Sequence, residues 1–219
     1  MQRTIVLISA GLSVPSSSRM LADQLSAATQ TQLRELGTEA VVQTVELRDY
    51  AVDIANNMVT GFAPPALARV LEQVALADAL IAVTPIFSAS YSGLFKSFFD
   101  LLEPKALDGL PVLIGATGGS TRHSLVLETA IRPLFSYFRA QTVATAVFAA
   151  PQDWGAGEAG QSELNVRIAQ AAGELATAIA GQQGSSSDLP DHRLKRESRE
   201  QEKMVSLPFE QLLAQIAAP

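Results

Sequence analysis

Five short apolar runs, rich in β-branched residues, punctuate this 219-residue chain at 4–9, 41–47, 79–84, 111–117 and 142–148, with helix-length segments between them. Runs that are apolar almost throughout belong to strands covered on both faces, whereas half-exposed strands alternate. The first intervening segment, 17–36, places Met20, Leu21, Leu25, Ala28, Leu33 and Leu36 on one helical face and meets a stop at Gly37. The next, 64–77, starts at Pro64-Pro65 and carries Leu67, Val70, Leu71, Val74 and Leu76; segments 93–103, 121–139 and 158–181 complete the set, the last alanine-rich and closed by Gly181. Arg132-Pro133 should bend the fourth of them. Strand and helix alternating five times predict a parallel sheet with helices on both faces, because parallel neighbours need a crossover and crossovers are almost always right-handed. Such sheets bind ligands beyond the carboxyl ends of their strands, at the switch in strand order, which directs attention to the loops after strands one, three and four.

Composition narrows the chemistry. The chain has no cysteine and two histidines, His123 and His192. Disulfide scaffolds, thiolate zinc sites, iron–sulfur clusters and cysteine nucleophiles are excluded, and a histidine-rich metal site is not expected. No apolar run approaches the ~20 residues of a membrane-spanning helix, and the run after Met1 stops at Ser9, so it reads as a strand and not a signal peptide. A formal charge of −6 argues against nucleic acid or an anionic lipid surface as partner. A soluble, cytoplasmic protein is the expectation.

Three loops carry the candidate site. The first, Ser9-Ala10-Gly11-Leu12-Ser13-Val14-Pro15-Ser16-Ser17-Ser18-Arg19, joins a strand end to a helix start, where unpaired backbone N–H groups and the helix dipole favour an anion. It is neither a G-x-G-x-x-G fingerprint nor a Walker A loop. Its serines suit a phosphate and equally suit ordinary helix capping. The loop after the third run, Thr84-Pro85-Ile86-Phe87-Ser88-Ala89-Ser90-Tyr91-Ser92-Gly93, mixes aromatic, hydroxyl and small residues in a way that suits a flat ligand, while Phe95, Phe98 and Phe99 beyond it read as core. The loop after the fourth run, Ala116-Thr117-Gly118-Gly119-Ser120-Thr121-Arg122-His123, has paired glycines that permit close backbone approach or simply turn the chain.

Together, the serine-rich loop, TPIFSASYSGLFKSFFDLL and ATGGSTRHSL resemble the flavodoxin-like NAD(P)H-dependent FMN reductases over about residues 3–180, and most of all their sulfonate-utilisation branch, which supplies reduced flavin to a partner monooxygenase. The resemblance implies an α/β three-layer sandwich with a five-stranded parallel sheet of order 2-1-3-4-5 and FMN at the switch point. It implies that Ser9, Ser16, Ser17, Ser18 and Arg19 hold the phosphate, that Thr84, Pro85, Ile86, Phe87 and Tyr91 run along the ribityl chain and ring, and that Thr117, Gly118 and Gly119 border the ring's other edge. His123 matches a histidine near the entrance, on the substrate side, although a helix-start histidine is equally a structural or solvent-facing residue. Hydride transfer from NADH or NADPH to FMN needs no acid–base pair or nucleophile from the protein, which agrees with the missing cysteines and scarce histidines. Two alternatives stay open: a reductase that keeps FMN bound and passes electrons to a quinone, azo dye or metal oxyanion, and a flavodoxin-type electron carrier. The resemblance also implies a homodimer or homotetramer.

Residues 1–181 are thus expected to form the FMN reductase domain. Residues 182–203 read as a linker followed by a charged segment, and 204–219 as an amphipathic C-terminal segment with Leu207, Phe209, Leu212, Leu213 and Ile216. The run 191–203 holds five bases against four acids, so the rest of the chain carries −7. That run reads as a solvated tether, with docking to a monooxygenase as the alternative.

Overall fold

The computed structural model describes residues 2–155 and 157–182, so the two C-terminal segments, from Gln183 on, lie outside the described residues. Strand β1 (Arg3–Ser9) leads through helix α1 (Ser17–Glu35) to β2 (Ala40–Glu46). Helices α2 (Ala51–Thr60) and α3 (Pro65–Leu76) lead to β3 (Ala79–Phe87), which turns into the two-residue strand β4 (Ser90–Tyr91). Then come α4 (Gly93–Phe99), β5 (Pro111–Thr117) and α5 (Arg132–Tyr137). Two short strands, β6 (Gln141–Thr142) and β7 (Val147–Ala149), precede α6 (Pro151–Gly155) and α7 (Gly157–Gly181).

The main sheet is parallel in the order β2-β1-β3-β5, with β6 and β7 both pairing with β5, parallel to it, and β4 folding back antiparallel on β3. The expected order 2-1-3-4-5 therefore holds, with the fifth position filled in two pieces. Side chains of the central strands alternate between two cores, as a period of two requires. Val6, Ile8, Leu80, Ala82, Val112 and Ile114 face α3, α4 and α5; Ile5, Leu7, Ile81, Val83 and Leu113 face α1 and α7.

Helix α1 shows how local sequence sets its ends. The Ser16 hydroxyl caps it by accepting from the Arg19 amide. At the other end Gly37 takes φ +70°, so that its amide reaches the Arg34 carbonyl at 3.0 Å and the Thr38 amide reaches the Leu33 carbonyl at 2.8 Å.

Three elements depart from expectation. Helix α2 is not among the expected helices, and of its apolar side chains Ile54 is buried while Val52, Met58 and Val59 stay exposed. The segment 121–139 is divided into a 3-10 turn over Thr121–His123, a π turn over Leu127–Ile131, and α5. Proline has no N–H and its ring clashes with the carbonyl four residues back. The chain widens just ahead of Pro133, where the Arg132 amide bonds to the Leu127 carbonyl five residues back.

The fifth run leaves the sheet between β6 and β7. Its backbone groups there are met by side chains from the helices on either side, since buried polar groups left unpaired are costly. Arg132 donates to the Thr142 hydroxyl at 2.8 Å and to the carbonyls of Val143 and Ala144 at 2.9 and 3.0 Å, while Glu174 accepts from the Thr145 amide and hydroxyl at 2.7 and 2.6 Å. Arg132 is itself braced by both oxygens of Glu128, and its hydrogen bond holds that carboxyl below the usual range. Burial pushes the Glu174 carboxyl up, but the bonds from the Thr145 hydroxyl and amide, Gln170 and the Ala144 amide outweigh it and leave the group below its usual range.

Candidate functional site

A cleft of about 700 Å³ opens at the carboxyl ends of the central strands, where open parallel sheets take their ligands. Its volume lies within the ~300–1,000 Å³ of small-molecule sites. Three regions named from the sequence meet there: Ser16, Ser17 and Ser18 at the start of α1, Pro85, Ile86 and Phe87 at the end of β3, and Thr117, Gly118 and Gly119 at the end of β5.

The β1–α1 loop forms one end. The Ser16 hydroxyl hangs over Gly11 so closely that a Cβ at Gly11 would stand 1.9 Å from it. The glycine is therefore a steric necessity of this turn. The Ser18 hydroxyl shares a hydrogen bond of 2.7 Å with that of Thr117, 99 residues away, and so joins the first loop to the β5 loop. Both groups are buried. Beneath the loop lies Ser9, fully buried with a hydroxyl that has no partner.

The opposite wall is the β3–β4 hairpin. Its turn residues Ser88 and Ala89 have φ of +48° and +67°, the left-handed pair that a two-residue hairpin needs. The Thr84 hydroxyl donates to the Pro85 carbonyl at 2.9 Å and accepts from the Ser92 amide at 3.1 Å, bracing the hairpin from behind without lining the cleft. Tyr91 is likewise behind the wall, paired across the hairpin with Ile86 and packed 5.9 Å from the Phe95 ring. On the β5 side, a Cβ at Gly118 would come within 2.8 Å of Phe148 Cζ, while one at Gly119 would meet nothing within 4 Å.

The structure moves other residues away from the cleft. Arg19, expected to hold a phosphate, gives its guanidinium to Asp23 at 2.8 Å and to Glu46 at 2.6 Å and is not among the lining residues. The hydrogen bond to Asp23, with the nearby Glu46 charge, raises its pKa further above the usual arginine value despite partial burial. Asp23, one turn further along α1, was readable from its spacing, whereas Glu46 on β2 was not. His123 is exposed in the 3-10 turn and also lies outside the lining.

Conversely, Met20, Pro151 and Trp154 line the cleft without having been singled out. Trp154 is the chain's one tryptophan and sits on α6, after the fifth strand position. The rule that ligands lie beyond strand ends covers that loop too, and a solitary tryptophan there was the available signal. Asp153 anchors this wall by accepting from the Ala150 amide and from Arg167, each at 2.8 Å.

These residues suit FMN. A helix start with the clustered hydroxyls of Ser16, Ser17 and Ser18 can take a phosphate, whereas Ser9 is not among the lining residues, and a lining that includes Ile86, Phe87, Gly118, Gly119 and Trp154 is apolar enough for a flat ring. Fold and cleft together define a flavodoxin-like α/β protein with a nucleotide-sized site at its switch point.

Residues 3–155 match the family model described as NADPH-dependent FMN reductase, and the chain belongs to that family. It is 36% identical over 179 residues to an FMN reductase (NADPH) of Pseudomonas aeruginosa, spanning 81% of this chain and 92% of the relative. It is also 36% identical over 170 residues to the NADH-dependent FMN reductase SfnF of Pseudomonas fluorescens, covering 77% and 87%. The X-ray structure of an oxidoreductase from Corynebacterium diphtheriae superposes with a TM-score of 0.79 at 47% identity, over 82% of this chain and 98% of that one.

Proposed function

We propose that this chain oxidises NADH or NADPH, reduces FMN and releases the reduced flavin to a flavin-dependent monooxygenase. The observation that carries this reading is the meeting of the serine loop, the β3–β4 hairpin and the Thr117–Gly119 turn around one cleft, in a chain whose relatives are named as FMN reductases with either nicotinamide. When bound, FMN supplies the ring that accepts hydride. The residues supply placement. Ser16, Ser17 and Ser18 and the first-turn amides of α1 hold the phosphate, the hairpin residues Pro85 to Phe87 flank the ring, and Thr117 to Gly119 border its far edge. Ser9 and Thr84 support these loops from below and Tyr91 backs the hairpin.

The phosphate end has no free cation among its lining residues, since Arg19 is held by carboxylates. The naming of its relatives as FMN reductases favours the main reading over an FMN-retaining quinone, azo or metal-oxyanion reductase and over an electron carrier.

The test is NAD(P)H oxidation with FMN, FAD, riboflavin and a quinone side by side. FMN-dependent turnover with saturation in FMN is expected. Oxidation no faster than free flavin alone supports would refute the reading.

A homodimer or homotetramer is part of the proposal. Support comes from apolar side chains left in solvent: Val52, Val59 and Phe62 on and after α2 are 72, 88 and 71% exposed, and Leu125 and Tyr137 are each 70% exposed. The phenylalanines of 93–103 and 121–139 are buried within the chain and lend the oligomer no support. A particle near the 23.2 kDa monomer mass in light scattering would overturn the oligomer. Among the described residues no helix is long and apolar enough to cross a membrane, and we assign the protein to the cytoplasm.

A further inference from the structure

The β1–α1 loop has little apolar anchorage, because Leu12 and Val14 are 54 and 80% exposed. Polar tethers hold it instead, and they converge on one carboxylate. Glu46, the last residue of β2, stands opposite Ser9 in the sheet register. Its Oε1 accepts from Arg19 at 2.6 Å and its Oε2 from Arg48 at 2.8 Å. Arg19 lies in the first turn of α1, just past the cap at Ser16, and Arg48 uses another nitrogen to donate to the Ser13 carbonyl at 2.9 Å. Through these two arginines Glu46 ties both ends of the Ser13–Arg19 stretch to the neighbouring strand. The carboxylate is 17% exposed and Arg48 26%, shielded enough for charge-assisted bonds to hold geometry.

We propose that Glu46 is a positioning residue for the anion loop: it keeps the hydroxyls and amides of Ser16 to Ser18 converged on the flavin phosphate, while neither it nor its arginines touch the ligand. This rests on the reading of that loop as the phosphate site. Preorganising a loop in its bound form raises affinity by removing the ordering cost on binding. Loss of Glu46 leaves Arg19 on Asp23 and leaves Arg48 beside Asp49 at 3.6 Å, so neither cation is released toward the phosphate.

The experiment compares FMN and riboflavin, which differ by the phosphate alone, as ligands of the full chain and of its Glu46→Gln and Arg48→Met variants, by equilibrium dialysis. Both variants should weaken FMN binding about tenfold and change riboflavin binding less than twofold, with the retained riboflavin affinity showing an intact fold. Variants that keep the full preference for FMN overturn the proposal while the phosphate site stands. Equal weakening of both flavins also overturns it, since the role would then be general stability. Tighter FMN binding by Glu46→Gln overturns it in favour of a withheld Arg19. If the unaltered chain shows no preference for FMN over riboflavin, the phosphate reading falls and the proposal with it.

Discussion

The two faces of the sheet are built differently. One carries the 19-residue α1 and the 25-residue α7, packed through Leu21, Leu25, Ala171, Leu175 and Ala176. Small side chains let these helices come close: even a Cβ at Gly173 would touch Gln32 Oε1 at 3.7 Å. The other face carries α3, α4 and α5, of 12, 7 and 6 residues, around a cluster in which Phe99 lies 4.7 to 6.3 Å from Phe95, Phe98, Phe135 and Phe138. Long regular helices can fill their side with alanine and leucine. Short, interrupted ones leave gaps that take rings, each of which buries a large apolar area and packs edge to face. The irregular face supplies the hairpin and the β5 turn of the cleft, while the serine loop and Trp154 come from the side of α1 and α7.

The sharpest challenge to this contrast is truncation of a ring. Phe99→Ala should destabilise by about 3–5 kcal/mol in urea unfolding, and a loss below 1 kcal/mol would show that the aromatic face is not close-packed. On the opposite face the hazard is excess volume, and Ala171→Leu should cost about 1–3 kcal/mol by the same measurement. Where the irregular face meets the cleft, Gly118→Ala must displace Phe148 and should raise the KM for FMN several-fold, whereas Gly119→Ala has open space and should leave stability unchanged. Ala89→Gly, which relieves a side chain at φ +67° in the hairpin turn, should stabilise by about 1 kcal/mol.

The smallest effect concerns pH. Glu128 and Glu174, which with Arg132 hold the break between β6 and β7, titrate below their unfolded values. Their contribution is therefore complete above the ordinary glutamate range near ~4.3 and is lost as pH falls through the lowered values. Glu174→Gln should flatten the acid limb of a thermal-stability profile. An unchanged limb would place the acid sensitivity elsewhere.

Legibility followed the distance over which each feature is decided. The four strands β1, β2, β3 and β5, the limits of α1 and the order of the sheet were readable because apolar runs, a Ser cap and a Gly stop act within a few residues. The first and last cleft loops were readable as strand-to-helix turns, whereas the β3–β4 hairpin extends the third strand past the end of its apolar run at residue 84. The division of the fifth strand was not, since it depends on Arg132 and Glu174 reaching in from two helices to satisfy backbone that has left the ladder. Trp154 gave no periodic pattern, and its place in the cleft follows from where α6 is carried by β7.

Arg19 marks the boundary most clearly. Order along the chain put an arginine at the start of the first helix, in an anion-binding loop, and that much follows from local backbone chemistry. Whether its charge meets a ligand or a carboxylate depended on β2 pairing alongside β1 and bringing Glu46 within 2.6 Å. Local propensities act through neighbours in sequence, whereas a charge chooses its partner among groups that only the folded sheet brings together.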